Sequence, residues 1–343
     1  MNRDIELRSD TFTLPDKGMR RAIYEAEVGN AGFGEDPSVQ RLEEEVADYF
    51  GLAAGVFLPS ATMAGQIAIR VWSRPGDIVI IEEYGHSYYF ETGAMAAISG
   101  TQARLVKGTQ GILDSKDIEA VMVHPENDCA RSSLLILENT SNFGGGTIYP
   151  RETLEQIFIL SRDLHLPVHI DGARIWNAIV ATGNAASSQV PPGGSLSVCF
   201  SKGLGAPMGA LLLGSADFIA EARRIQKMLG GVMRQVGFMA AGALYGFRHN
   251  LDRLAEDHAN ASLLARVLAS NLALEIDLEA VQTNIIYFRV KEGPARASRL
   301  IGEMNAHRIK AFNLGSLVRL VTNLNVTRQD CEHAAATINK LMD

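Results

Sequence analysis

Residues 153–174, TLEQIFILSRDLHLPVHIDGAR, decide the fold. Leu154, Ile157, Phe158, Leu160 and Leu164 recur at mostly three- and four-residue spacings, which predicts a helix over Thr153–Leu166 with one apolar face. The run Val168–Asp171 that follows is short, apolar and β-branched, as expected of a buried parallel strand. The same alternation continues outward from about residue 53 to about residue 215. Further strands are expected at Val56–Leu58, Ile78–Glu82, Ala103–Val106, Leu134–Leu137, Leu196–Phe200 and Ala210–Leu213, and another sheet-packing helix at Phe218–Met228. The pattern is that of an α/β fold, a mostly parallel seven-stranded sheet covered by helices. Beyond Tyr245 it changes to a helical run, AEDHANASLLARVLASNL, then to strand-like NIIYFRV and SLVRLVTNL and a final helix. The expected organisation is a large α/β domain over residues 1–245, N-terminal segment included, and a small α+β domain over residues 246–343.

A chain of 343 residues with 47% hydrophobic and 21% charged residues buries a core unaided and resembles an ordinary globular enzyme. Its net charge of −7 argues against a nucleic-acid partner, which demands clustered Lys and Arg. Cys129, Cys199 and Cys331 lie far apart with no CxxC pair, so neither a disulfide framework nor a thiolate metal site is indicated. His165 and His169 straddle a helix–strand junction, and no metal site is read there. The start, MNRDIELRSDTFTLP, is charged, and no stretch approaches the ~18 apolar residues of a membrane helix. These observations predict a cytoplasmic protein whose partner is a small molecule.

The strongest local signal is Phe200-Ser201-Lys202-Gly203-Leu204-Gly205-Ala206-Pro207, a lysine set directly after a buried strand. Desolvation there favours the neutral amine that attacks an aldehyde to form a Schiff base. Taken alone, a lysine at such a place more often just ends the strand and reaches solvent. Asp171 closes another apolar strand, where open α/β sheets bind ligands, and it could hold a pyridinium N–H. Arg174 offers a fork for a carboxylate or a ring oxygen, although Asp171 and Arg174 also suit a structural pair. Ser60, Ala61 and Thr62 follow a strand and precede a helix, a place that suits phosphate as well as an ordinary N-cap. His86 follows the next strand and could stack on an aromatic cofactor while moving a proton. A phosphate cup, a stacking ring, an acid and a lysine at four strand ends together match the needs of pyridoxal 5'-phosphate (PLP). No Walker loop or dinucleotide fingerprint is present.

Longer motifs extend this reading: LRSDTFTLP, FGEDPSVQRLEE, FLPSATMAG, LILENT, HIDGARIWNA, FSKGLGAPMGALL, KMLGGVMRQVG and VRLVTNLNV. Through them the chain resembles, nearly end to end, the low-specificity L-threonine aldolases, fold-type I PLP enzymes related to the β-eliminating lyases. The resemblance implies that Lys202 is the Schiff-base lysine, Asp171 the partner of the pyridine nitrogen and His86 the stacked ring; His86 is also the candidate base, directly or through water. It puts Ala61 and Thr62 on the phosphate, and Ser9, Arg174 and Arg319 on the substrate carboxylate. It places Lys227 and Arg234 near the phosphate of a neighbouring subunit, in a homodimer or homotetramer with shared active sites. Departures gather around the substrate. Asp128 or Cys129 stands where many relatives have a His that handles the β-hydroxyl, which makes Asp128 a candidate substrate contact. ENTHN becomes ENTSN, a Tyr before GEDP becomes Phe33, the third Gly of GGG becomes Val232, and RLVTHLDV becomes RLVTNLNV.

The reaction so implied is cleavage of a β-hydroxy-α-amino acid, such as L-threonine or L-allo-threonine, to glycine and an aldehyde. The competing expectation is another reaction on the same cofactor: transaldol exchange, aldol work on a phenylserine-type substrate, or β-elimination.

Overall fold

The computed structural model describes residues 3–123 and 128–343. A two-residue strand near the start, β1 (Ile5–Glu6), pairs in parallel with Ile309–Lys310, so the two ends of the chain are tied together. Helices α1 (Lys17–Tyr24) and α2 (Pro37–Phe50) lead into the main sheet. Asp36 starts α2 by accepting the Val39 N–H, and Gly51 ends it at φ +66°, a conformation that glycine adopts without a Cβ penalty.

The main sheet comprises β2 (Ala54–Leu58), β3 (Ile78–Glu82), β4 (Gln102–Val106), β5 (Ser132–Glu138), β6 (Val168–Gly172), β7 (Ser195–Cys199) and β8 (Ala210–Gly214). Their spatial order is β2-β8-β7-β6-β5-β3-β4. Only β8 runs against its neighbours, β2 and β7. The carboxyl ends of the other six strands therefore share one edge. Each expected strand is present, with ends shifted by two residues at most; β5 runs on to Glu138 and so delivers a second acid to that edge.

Helices α3 (Ala61–Trp72), α4 (His86–Tyr89), α5 (Ser115–Val121), α6 (Arg151–Asp163), α7 (Ile175–Thr182) and α8 (Ala216–Met228) connect and cover these strands. The helix expected to reach Leu166 stops earlier, because His165 takes φ +52° and Leu166 N–H turns back to the Ser161 carbonyl. Ile80, Leu135, Leu137, Ile170, Leu196 and Val198 fill the space beneath the sheet, each burial worth ~1.5–3 kcal/mol.

Helices α9 (Gly237–Asn250) and α10 (Leu254–Ala269) lead to β9 (Leu274–Glu275), β10 (Ile285–Val290), α11 (Pro294–Ala306), β11 (Ile309–Lys310), β12 (Phe312–Leu314), β13 (Leu317–Val321) and α12 (Arg328–Met342). An antiparallel sheet of order β12-β13-β10-β9 forms here. Its core contains Leu264, Leu268, Ile286, Phe288, Leu320 and Ile338, and it also takes in Ile5 and Leu7. The N-terminal strand thus packs with the smaller core, and residue 245 lies inside α9.

Candidate active site

Four adjacent strands, β7, β6, β5 and β3, deliver Lys202, Asp171, Glu138 and His86 to one edge. Beyond β7 the chain folds back, with Ala206 N–H on the Phe200 carbonyl at 3.0 Å and Gly205 N–H on the Lys202 carbonyl at 2.9 Å. Gly205 makes this turn at φ +77°. Asp171 lies in register beside Glu138 across the β5–β6 pair. Its Oδ1 accepts Ala173 N–H at 3.3 Å, and among the described residues no donor reaches Oδ2.

Glu138 is half-buried, with Oε2 accepting His86 N–H at 2.9 Å and Oε1 accepting Asn142 N–H at 2.8 Å. Burial, reinforced by Asp171, pushes its carboxyl up to about 7. His86 Nδ1 lies 3.0 Å from Glu91 Oε1, and the buried Gln66 donates its amide to Glu91 Oε2 at 2.6 Å. A carboxylate with these neighbours accepts, so Nδ1 carries the proton and Nε2 is the nitrogen left for a reactant. Burial disfavours the charged imidazole, but Glu91, Asp171 and Glu138 outweigh it and raise the His86 pKa. Glu91→Gln should therefore lower the His86 pKa and shift the acidic limb of the kcat profile to lower pH. The plateau should fall roughly tenfold as the base weakens. An unmoved limb would show that His86 does not govern it.

Opposite this group, Arg174 donates Nε and Nη2 to Asp10 at 2.8 Å each. Asn284 adds a donor to the same carboxylate at 3.1 Å. Burial opposes the Asp10 charge, yet Arg174 and Lys202 prevail and hold its pKa down to about 2. Nη1 is the guanidinium nitrogen that Arg174 has left for a ligand. Because the folded pKa lies below the ordinary carboxylate value, this pair stabilises the fold at pH above ~4. That stability is lost as pH falls through about 2. Asp10→Ala should cost ~3–5 kcal/mol in urea unfolding at neutral pH, since it strands a buried cation. A loss below ~1 kcal/mol would mean that water reaches Arg174.

Arg319, on β13, reaches the same space from the smaller sheet. Its Nη1 donates to Asn142 Oδ1 and its Nη2 to the Arg8 carbonyl, both at 3.1 Å. The guanidinium lies 5.1 Å from the Phe312 ring centre, its Nε is buried without a partner among the described residues, and Tyr287 sits directly opposite on β10. An aromatic wall joins the two sides: Phe143 stacks on Tyr84 at 4.4 Å and lies 6.2 Å from Tyr287, while Phe90 is 5.6 Å from His86. Ser9 caps the turn that carries Asp10, accepting Thr11 N–H at 3.2 Å. Ser60 caps α3 by accepting Met63 N–H at 3.2 Å, which leaves the first-turn N–H groups of Ala61 and Thr62 for an anion.

Three predicted residues lie elsewhere in this chain. Lys227 and Arg234 line a separate cleft of about 460 Å³ together with Phe33 and Val232, so two of the departing positions share their surroundings. Asp128 is exposed in the connection that precedes β5, at the amino-terminal edge of the sheet, whereas Lys202 lies at the carboxyl edge. This chain alone does not bring it to Lys202. An apolar cleft of about 360 Å³ at that far edge, lined by Phe158, Pro191 and neighbours, holds none of the predicted residues. The other departures have structural partners: Ser141 Oγ accepts Gly144 N–H, Asn323 donates to the Glu6 carbonyl, and Asn325 accepts Leu14 N–H.

The sequence signature of the family described as beta-eliminating lyase matches residues 6–291. The chain belongs to this family. Within it, the chain is 38% identical to the low specificity L-threonine aldolase of Escherichia coli (strain K12), over 97% of each protein. It is 40% identical to a probable low-specificity L-threonine aldolase 2 of Arabidopsis thaliana, over 85% of this chain and 83% of that one. The fold of Leishmania major threonine aldolase superposes with a TM-score of 0.84 at 18% identity, covering 98% and 99% of the two chains. The architecture is that of the fold-type I enzymes.

Asp10, Glu91, Glu138 and Asn142 were not singled out by sequence. Glu138 ends its strand as Asp171 ends the next one, a signal that could have found it. Glu91 and Gln66 meet only through the packing of α3 on the segment after α4, which no local pattern announces.

Proposed function

We propose that the chain is a PLP-dependent aldolase that cleaves, or in reverse forms, the Cα–Cβ bond of a β-hydroxy-α-amino acid such as L-threonine or L-allo-threonine, yielding glycine and an aldehyde. The observation that carries this reading is the convergence of Lys202, Asp171 and His86 on one strand edge that faces Arg319. The residues fit the cofactor: Asp171 Oδ2 offers an unengaged acceptor for a pyridine N–H, and the start of α3 offers free N–H groups for a phosphate. Lys202, Asp171 and the start of α3 would hold PLP, which would supply an electron sink for the pair released at the substrate Cα.

The remaining work falls to the chain's own groups. Arg319, with Ser9 and the free Nη1 of Arg174, grips the carboxylate and so fixes which Cα bond is aligned for cleavage. His86 Nε2 takes the β-hydroxyl proton while Glu91 stabilises the imidazolium through Nδ1. Lys227 and Arg234 serve a second copy, in a cytoplasmic homodimer or homotetramer. Exposed Phe33 and Met228, at 75% and 64%, support such an interface, and light scattering of the purified protein tests it.

Purified enzyme given threonine, allo-threonine and phenylserine should release aldehyde stoichiometrically with glycine. Keto acid and ammonia from the same substrates, without aldehyde, would replace this reading with β-elimination. The absent imidazoles at Ser141, Asn323 and Asp128 favour testing a wide aldehyde panel with glycine as donor.

A further inference from the structure

Glu138 is a half-buried acid at the centre of the site that the reaction above does not use. Both of its hydrogen-bond donors among the described residues are backbone: one oxygen accepts from His86 N–H at 2.9 Å and the other from Asn142 N–H at 2.8 Å. Those two donors belong to different connections, one following β3 and the other following β5 itself. Asn142 in turn accepts from Arg319 Nη1 through its side chain at 3.1 Å. A single carboxylate thus stands between the ring on one wall and the guanidinium on the other.

We propose that Glu138 is a positioning residue that fixes the His86 ring and the Arg319 guanidinium relative to one another, holding the first through its backbone N–H and the second by way of Asn142. This deepens the aldolase reading and rests on it for the roles of His86 and Arg319. A half-buried carboxylate beside Asp171 is costly, and desolvation with that neighbour pushes Glu138 up toward neutral pH. A glutamine of the same volume would avoid that cost. It could not, however, accept at both ends, because its amide N–H₂ would face one backbone N–H donor to donor. The charge serves a site in which two donors must be held by one group.

The test uses the holoenzyme with Glu138→Gln, Asn142→Ala and the double variant. Amide hydrogen exchange should accelerate in Glu138→Gln at whichever of His86 and Asn142 faces the new amide, and unchanged protection at both would overturn the proposal. Asn142→Ala should raise KM for threonine about tenfold, the scale of one charge-assisted hydrogen bond, with kcat little altered. Glu138→Gln should raise KM if it frees the Asn142 side and lower kcat if it frees the His86 side, and wild-type values of both would overturn the proposal. The double variant should show no further rise in KM over the worse single one; KM effects that multiply would mean the two residues act independently and would sink the coupling. If Glu138→Gln does not fold, Glu138→Asp, which keeps the charge but shortens the reach, enters the same cycle with the same outcomes. A wild-type enzyme that binds no PLP or cleaves no β-hydroxy amino acid would instead defeat the aldolase reading, and the exchange result would still report on the Glu138 bridge.

Discussion

Lys202→Ala is expected to give a folded protein that has lost the absorbance near ~420 nm of a lysine-linked PLP, together with activity by ~10³-fold or more. The amine lies at the mouth of a turn held by backbone hydrogen bonds, Gly205 N–H to Lys202 and Ala206 N–H to Phe200, which the substitution leaves in place. Lys202 is half-buried and makes no described side-chain hydrogen bond, so unfolding free energy should change by no more than ~1 kcal/mol. The positive charge it contributes near Asp10 is secondary to the direct Arg174 pair. Loss of the band with an intact melting transition therefore isolates the covalent link from the fold. A variant that keeps the band would show that another amine carries the cofactor and would remove Lys202 from the chemistry.

The architecture was legible because its signals are local. Alternating buried strands and amphipathic helices, written into stretches such as 153–174, dictate a parallel sheet, and the strand-end rule then collects Lys202, Asp171 and His86 at one edge. The antiparallel β8 left no local mark, since ALLL reads as a buried strand in either direction. What stayed hidden depends on contacts between distant segments. Arg174 reads as a free fork in sequence, but Asp10 from the N-terminal turn claims two of its nitrogens. Ile5 and Leu7 give no hint that they complete the smaller core, and Gln66 looks like one more residue on a helix until Glu91 arrives beside it. Asp128 was suggested by alignment with relatives; the chain itself sets it at the opposite edge of the sheet.

Arg319→Ala should raise KM for the amino acid roughly 10²-fold while the affinity for PLP changes by less than about threefold. Arg174 is the less informative probe, because it is locked to Asp10 and its removal would strand a buried carboxylate, confusing binding with stability. Arg319 has no carboxylate partner among the described residues: its neighbours include the Asn142 amide oxygen, the Arg8 carbonyl, the Phe312 ring and Tyr287. Neutral acceptors and a ring face orient a guanidinium without neutralising it, so its charge remains available to an incoming carboxylate. Arg319→Lys should recover only part of the loss, since a point charge cannot keep both orienting contacts and still offer a fork. Uniform loss of ground-state and transition-state binding would leave kcat nearly intact. Since the clamp also aligns the Cα–Cβ bond, kcat should fall as well, and an intact kcat would limit Arg319 to binding. An unchanged KM would place the substrate carboxylate elsewhere, with Arg174 Nη1 and Ser9 as the remaining anchors.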